Sequence, residues 1–134
     1  MVPYEGKPLA SRQQAWWRVR VWRSDEEVTD WSPKQRFGVG IIGGDRLKGD
    51  YIGAVPGEGR APLLRKEFSV KKAGKALLYV NSLGYHEAFL NGKKVSDAVL
   101  MPAVSQLDKR SLIVVYDVTG LLRKGRNELR IAAG

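Results

Sequence analysis

Short runs of Val, Ile, Leu and aromatic residues recur along the chain between Gly, Pro, Asn and Asp, and helical periodicity is hard to find. This pattern predicts an all-β sandwich. Strands are expected near residues 15–23, 34–42, 63–70, 75–82, 85–90, 93–99, 110–117 and 127–132. In the first of them, alternation sends Trp17, Val19 and Val21 to one face and Trp16, Arg18, Arg20 and Trp22 to the other. The Val face is expected to be the core. A polar turn, Ser24-Asp25-Glu26-Glu27, and the lead-in Val28-Thr29-Asp30-Trp31-Ser32-Pro33 then join this strand to the second as a β-hairpin.

Two strands are marginal in water, so the first segment reads as the end of a domain whose remainder lies elsewhere. Between Gly43 and Pro62 stand six glycines and two prolines, with Gly43-Gly44 and Pro56-Gly57-Glu58-Gly59 as the clearest turns. That stretch reads as a linker or a long surface loop. The expected organisation is therefore a hairpin over 1–42, a linker over 43–61 and a β-sandwich module, read as truncated, over 62–134.

Within the last segment, Leu90-Asn91-Gly92-Lys93 is the strongest local signal. Asn91 and Gly92 tolerate the positive φ that both central positions of a type I′ turn require, so a two-residue hairpin is predicted here. Alternation places His86, Ala88 and Leu90 on one face and Tyr85, Glu87 and Phe89 on the other. Asp117-Val118-Thr119-Gly120-Leu121-Leu122 reads as a short capped turn of helix, because Asp or Thr can accept from the free amides that follow. Gly125 then reverses the chain, and Asn127 opens a closing strand with Leu129 and Ile131 inward.

Composition narrows the function classes. The chain has 134 residues, enough for one ordinary domain or a small domain plus part of another and too few for a large catalytic barrel. Hydrophobic residues make up 43% and charged residues 28%, the balance of a folded chain. No apolar stretch approaches the roughly 18 residues of a membrane span, and the first residues lack the apolar core of a signal peptide. No cysteine and one histidine leave any all-protein zinc site short of ligands, so no metal and no cofactor are expected. The net charge of +9 would attract nucleic acid, anionic lipid or acidic polysaccharide. Its basic residues, among them Lys71-Lys72, Lys93-Lys94, Lys109-Arg110 and Arg123-Lys124, are scattered over turns and strand ends, which also suits solvated edges.

The run from Ser82 to Asp97, with Asp117-Val118-Thr119, Leu121-Leu122 and Gly125-Arg126-Asn127-Glu128-Leu129, resembles the N-terminal module of family 78 glycoside hydrolases, chiefly bacterial α-L-rhamnosidases. Upstream, Trp17-Arg18-Val19-Arg20-Val21-Trp22 with Asp30-Trp31-Ser32 resembles the last hairpin of the fibronectin-type-III-like domain that precedes that module. The hairpin and the Asp-Val-Thr segment also occur in jelly-roll sugar-binding domains of β-galactosidase-like enzymes. The chain departs from the family pattern at Asp50-Tyr51-Ile52-Gly53, where a Trp often precedes Ile-Gly, and at Pro102-Ala103-Val104, where Gly-Trp often follows Pro.

The resemblance implies a jelly-roll or galactose-binding-like sandwich preceded by a partial fibronectin-type-III-like hairpin, and an accessory role. It implies as partners the (α/α)₆ barrel and neighbouring β domains of a parent α-L-rhamnosidase, and rhamnose-containing glycans. The inverting two-carboxylate chemistry belongs to that barrel, which this chain lacks, so no catalytic residue is assigned. Glu87, Asp97, Asp108 and Asp117 are spread over strands and turns, with Asp117 reading as a cap. The parent enzyme would be periplasmic, secreted or cytoplasmic in a bacterium, and nothing here chooses among these.

Tyr85, His86 and Glu87 are the candidate sugar contacts, since aromatic faces stack on pyranose C–H surfaces and carboxylates bind paired hydroxyls. A lone His on the Ala88 and Leu90 face equally suits a core-edge histidine with local hydrogen bonds. Some modules of the family bind rhamnose through calcium, and no acidic cluster of this chain matches those ligands. The row Trp16, Arg18, Arg20 and Trp22 fits packing against another domain, an exposed cation–π ladder, or a nucleic-acid platform. A small basic β protein that binds nucleic acid or another polyanion is therefore the alternative function.

Overall fold

The computed structural model describes residues 3–24, 27–54 and 61–134. Asp25 and Glu26 of the polar turn, and the Pro56-Gly57-Glu58-Gly59 turn, lie outside the described residues. Those described form eight strands and no helix: β1 (Gln14–Trp17), β2 (Gln35–Gly38), β3 (Leu63–Val70), β4 (Leu77–Asn81), β5 (His86–Leu90), β6 (Lys93–Lys94), β7 (Ile113–Asp117) and β8 (Gly125–Ala133). The chain divides into two compact units, Met1–Asp50 and Tyr51–Gly134.

The second unit is a two-layer sandwich. One sheet has the order β3-β8-β5-β6 and the other pairs β4 with β7. Alternation builds the core between them. His86, Ala88 and Leu90 of β5 point inward, where Leu90 meets Val80 of β4, Tyr116 of β7 and Val118. Phe68, Leu78, Val114, Ile131 and the turn residues Leu121 and Leu122 pack around that cluster. The outer face of β3 and β8 is charged: Glu67 stands opposite Glu128 and Arg65 opposite Arg130 in register. Like charges directly opposed would repel, but Arg65 pairs with both carboxylates, Arg126 with Glu67, and Arg130 with Glu128.

In the first unit β1 pairs antiparallel with β2, Trp16 facing Arg36 and Trp17 facing Gln35. The first predicted strand stops early, at Trp17, for a local reason. The Val19 amide donates to Ser32 Oγ at 2.9 Å and the Val21 amide to Thr29 Oγ1 at 3.0 Å, so hydroxyls stand where carbonyls would continue the ladder. The return bonds, Ser32 N to Val19 O and Thr29 N to Val21 O, keep the two segments together, and Trp22 meets Val28 in a single bridge. The expected burial of the Val face is corrected: Trp17, Val19 and Val21 are 49%, 52% and 60% exposed. Alternation alone cannot bury a face, and among the described residues of this unit no second sheet covers the ribbon.

Each half of the glycine-rich stretch is tied to its own unit. Arg12, at φ 62, ion-pairs with Asp45, and Ser11 Oγ both donates to the Ile42 carbonyl and accepts from the Ile42 amide. Tyr51 donates its phenolic proton to Asn81 Oδ1 on β4.

Candidate functional site

Tyr85, His86 and Glu87 are consecutive, so the pleat that orders β5 separates them. His86 turns into the sandwich and is only 5% exposed. Its Nδ1 lies 2.7 Å from Ser82 Oγ and its Nε2 lies 2.9 Å from the Tyr116 hydroxyl. Ser82 spends its single proton on the Gly84 carbonyl at 2.8 Å, so it accepts from Nδ1–H, and Tyr116 donates to Nε2. The two rings meet edge to face with centroids 5.8 Å apart. Burial holds the imidazole below its usual pKa and pushes the Tyr116 phenol up, the latter partly opposed by Lys94. His86 is thus a neutral interior strut with both nitrogens engaged.

Glu87 projects outward and pairs with Lys94 of β6 at 2.5 Å. Tyr85 is 43% exposed and borders a groove of about 370 Å³ together with Leu83, Gly84, Pro102, Val104 and Leu107. Gly84 is required there, because a Cβ at that position would run into the backbone of Gly134, whose amide donates to the Tyr85 carbonyl at 2.9 Å. The groove is lined mainly by apolar side chains, and Val104 on its rim is 86% exposed.

Glu67, Glu87 and Glu128 of this unit are ion-paired, and Asp117 caps a turn. Arg130 and Arg65 hydrogen-bond Glu128 and hold its carboxyl below the usual carboxylate range, against a smaller opposing effect of burial. A general acid needs the reverse of the shift that Glu128 shows. Asp117 Oδ1 accepts from the Thr119 amide at 3.1 Å, and the amides of Leu121 and Leu122 both reach the Val118 carbonyl. The Leu122 bond is the i→i+4 bond of a single helical turn that is not continued, with Asp117 at its start. Among the described residues no cluster of three His, Cys, Asp or Glu side chains could hold a metal ion.

Asn91 and Gly92 take φ of 54° and 79° at the β5–β6 turn, where Leu90 faces Lys93. Asn127, 1% exposed, bonds the Arg123 amide and carbonyl and the Gly125 carbonyl, and so closes the loop that enters β8.

In the first unit the basic and aromatic row meets an additional residue. Arg18 and Arg20 place their guanidinium carbons 4.3 and 4.7 Å from the ring centre of Trp31, and Arg20 lies 4.8 Å from Trp22. The sequence contains Trp31 in plain view, but only the pairing of residues 19–21 with 29–32 brings it across from the arginines. Alongside, Trp16, Trp17, Arg18 and Lys34 line a cleft of about 360 Å³.

A two-layer β-sandwich and a β-ribbon unit place the chain among all-β modules. Two family models match: one described as α-L-rhamnosidase N-terminal domain over residues 71–134, and one described as Rha78A-like N-terminal immunoglobulin domain over residues 1–43. An α-L-rhamnosidase of Formosa agariphila is 35% identical over 99% of this chain and 16% of its own length. The α-L-rhamnosidase structure from Dictyoglumus thermophilum superposes with a TM-score of 0.81 at 30% identity, over 98% of this chain and 17% of that one. That from Aspergillus terreus gives 0.83 at 33% identity, over 99% and 16%.

The chain belongs with the N-terminal regions of family 78 α-L-rhamnosidases, and it spans about a sixth of the length of the relatives it matches. The model over residues 1–43 is described as an immunoglobulin domain, where the sequence suggests a fibronectin-type-III-like one; the two share a sandwich architecture.

Proposed function

We propose that this chain is a non-catalytic accessory region of an α-L-rhamnosidase-type glycoside hydrolase, with a ribbon unit, a linker and a sandwich module that docks on the catalytic barrel and neighbouring β domains. The observation that carries the docking is the exposed apolar rim of Leu83, Tyr85, Val104 and Leu107 around the groove of the second unit. Contiguous apolar surface of this kind marks contact with another surface. Tyr85, with its half-exposed ring on that rim, is the remaining candidate for carbohydrate contact; His86 is turned inward and Glu87 is paired with Lys94.

The test is a pair of assays. The isolated chain should not hydrolyse an aryl α-L-rhamnoside, and a chimaera carrying it in place of the matching part of the Aspergillus terreus relative should. Turnover that co-purifies with the isolated chain would refute the accessory reading. A chimaera that folds its barrel and stays inactive, while the relative itself is active, would also count against it.

A further inference from the structure

We infer that the first unit carries a binding site for acidic saccharides, built from the cleft between Trp16, Trp17, Arg18 and Lys34 with Arg20 and Trp31 beside it. The cleft is lined by two tryptophans and two cationic residues, and no carboxylate lines it among the described residues. Indole faces suit the C–H surface of a pyranose, and the cations suit a carboxylate or sulfate on it.

Charge distribution separates this place from the rest of the molecule. Arg12, Arg23, Arg65, Arg126 and Arg130 each have a carboxylate partner. Arg18 and Arg20 instead converge on the Trp31 ring, and among the described residues neither they nor Lys34 meet a carboxylate within ion-pair distance. Positive charge gathered without a counter-charge is relieved by an incoming anion. The arrangement is also held in advance: the Val19 and Val21 amides are locked to Ser32 and Thr29, which flank Trp31 and set the two arginines against it. Little ordering is left for a ligand to impose.

A single-stranded nucleic acid would need a cationic groove that follows its backbone over several phosphates. Here Arg18 and Lys34 line one cleft of about 360 Å³, the size class of a small-ligand site, and Arg20 shares the Trp31 ring with Arg18. The geometry therefore favours one or two acidic sugar residues. This site stands on the first unit alone and does not depend on the docking reading of the second.

Tryptophan fluorescence titration of the 134-residue chain tests it, with tetragalacturonate as the acidic probe and L-rhamnose, a neutral tetrasaccharide and oligothymidylate as comparisons. Tetragalacturonate should change the fluorescence saturably and bind more tightly than the other three, with affinity falling as salt rises. Arg18→Gln and Lys34→Gln should each weaken it roughly threefold to tenfold, the range of one exposed cationic contact. Lys71→Gln, in the other unit, should leave it unchanged. Lys34→Gln keeps the test valid should Arg18→Gln disturb the ribbon. No saturable response to tetragalacturonate, equal loss on Lys71→Gln, or tighter binding of oligothymidylate would each overturn the assignment.

Discussion

The side-chain amide of Asn91 donates to Oδ1 of Asn127 at 2.9 Å, joining the tip of the β5–β6 hairpin to the loop that enters β8. Asn91 also donates to the Leu121 carbonyl and accepts from the Glu128 amide, while Asn127 holds both polar groups of Arg123. The two residues thereby fix three chain segments around one buried amide. Asn127→Ala would orphan several of these groups inside the protein, and we expect a loss of about 2–3 kcal/mol, the scale of buried unsatisfied partners. Urea unfolding of the variant checks this, and a loss below about 0.5 kcal/mol, the range of an ordinary surface substitution, would mean the network is not structural.

Gly92 isolates the backbone part of the same hairpin. A Cβ there would meet nothing within 4 Å, so the penalty of a side chain comes from φ of 79° alone. Gly92→Val should cost about 1–3 kcal/mol, whereas Gly92→Asn should cost clearly less because Asn tolerates that region. Equal melting temperatures for wild type and the Val variant would contradict the turn.

His86 gives the fold a pH dependence whose sign follows from its lowered pKa. The unfolded chain binds a proton at higher pH than the folded one does, so the contribution is complete above the ordinary histidine pKa of about 6.5 and is lost as pH falls through the lower folded value. Stability measured by urea unfolding should decline between roughly pH 7 and pH 5, and His86→Gln should flatten that slope. A slope that survives the substitution would assign the effect to other groups.

Much of this fold was legible in the sequence. Strand β3 spans Leu63–Val70, the very residues that alternation and flanking turns predict, and His86, Ala88 and Leu90 share one face of β5 as alternation places them. What failed to read out was long-range. Strand β6 ends at Lys94, although Val95 and Val99 continue an apolar pattern and the Val95 amide still makes the next in-register bond, to the Ala88 carbonyl. Asn91 and Asn127 each advertise a turn or cap, but their mutual bond spans 36 positions and leaves no local trace. The role of Trp31 is hidden for the same reason, since nothing near it in sequence announces the two arginines it meets.

The ribbon should also differ from the sandwich in local stability. Among the described residues β1 and β2 form a two-stranded sheet, and the residues just beyond them carry half-exposed apolar side chains. Their amides should exchange well before those of Leu78 and Val80, which lie in β4 against the buried core. Hydrogen exchange on the 134-residue chain reads this directly. Equal protection of Trp16 and Val80 would make the two segments one cooperative unit and remove the division proposed between them.

The docking role is tested most directly by Leu83→Asp with Val104→Asp, measured in the isolated chain and in the chimaera with the Aspergillus terreus relative. Both side chains are mostly exposed in the chain, so its own melting temperature should hardly move. In the chimaera the same charges would be buried against the neighbouring domain, and its melting temperature should fall measurably. A chimaera as stable with both aspartates as without them would contradict the account, because the groove would then face solvent in the whole enzyme as well.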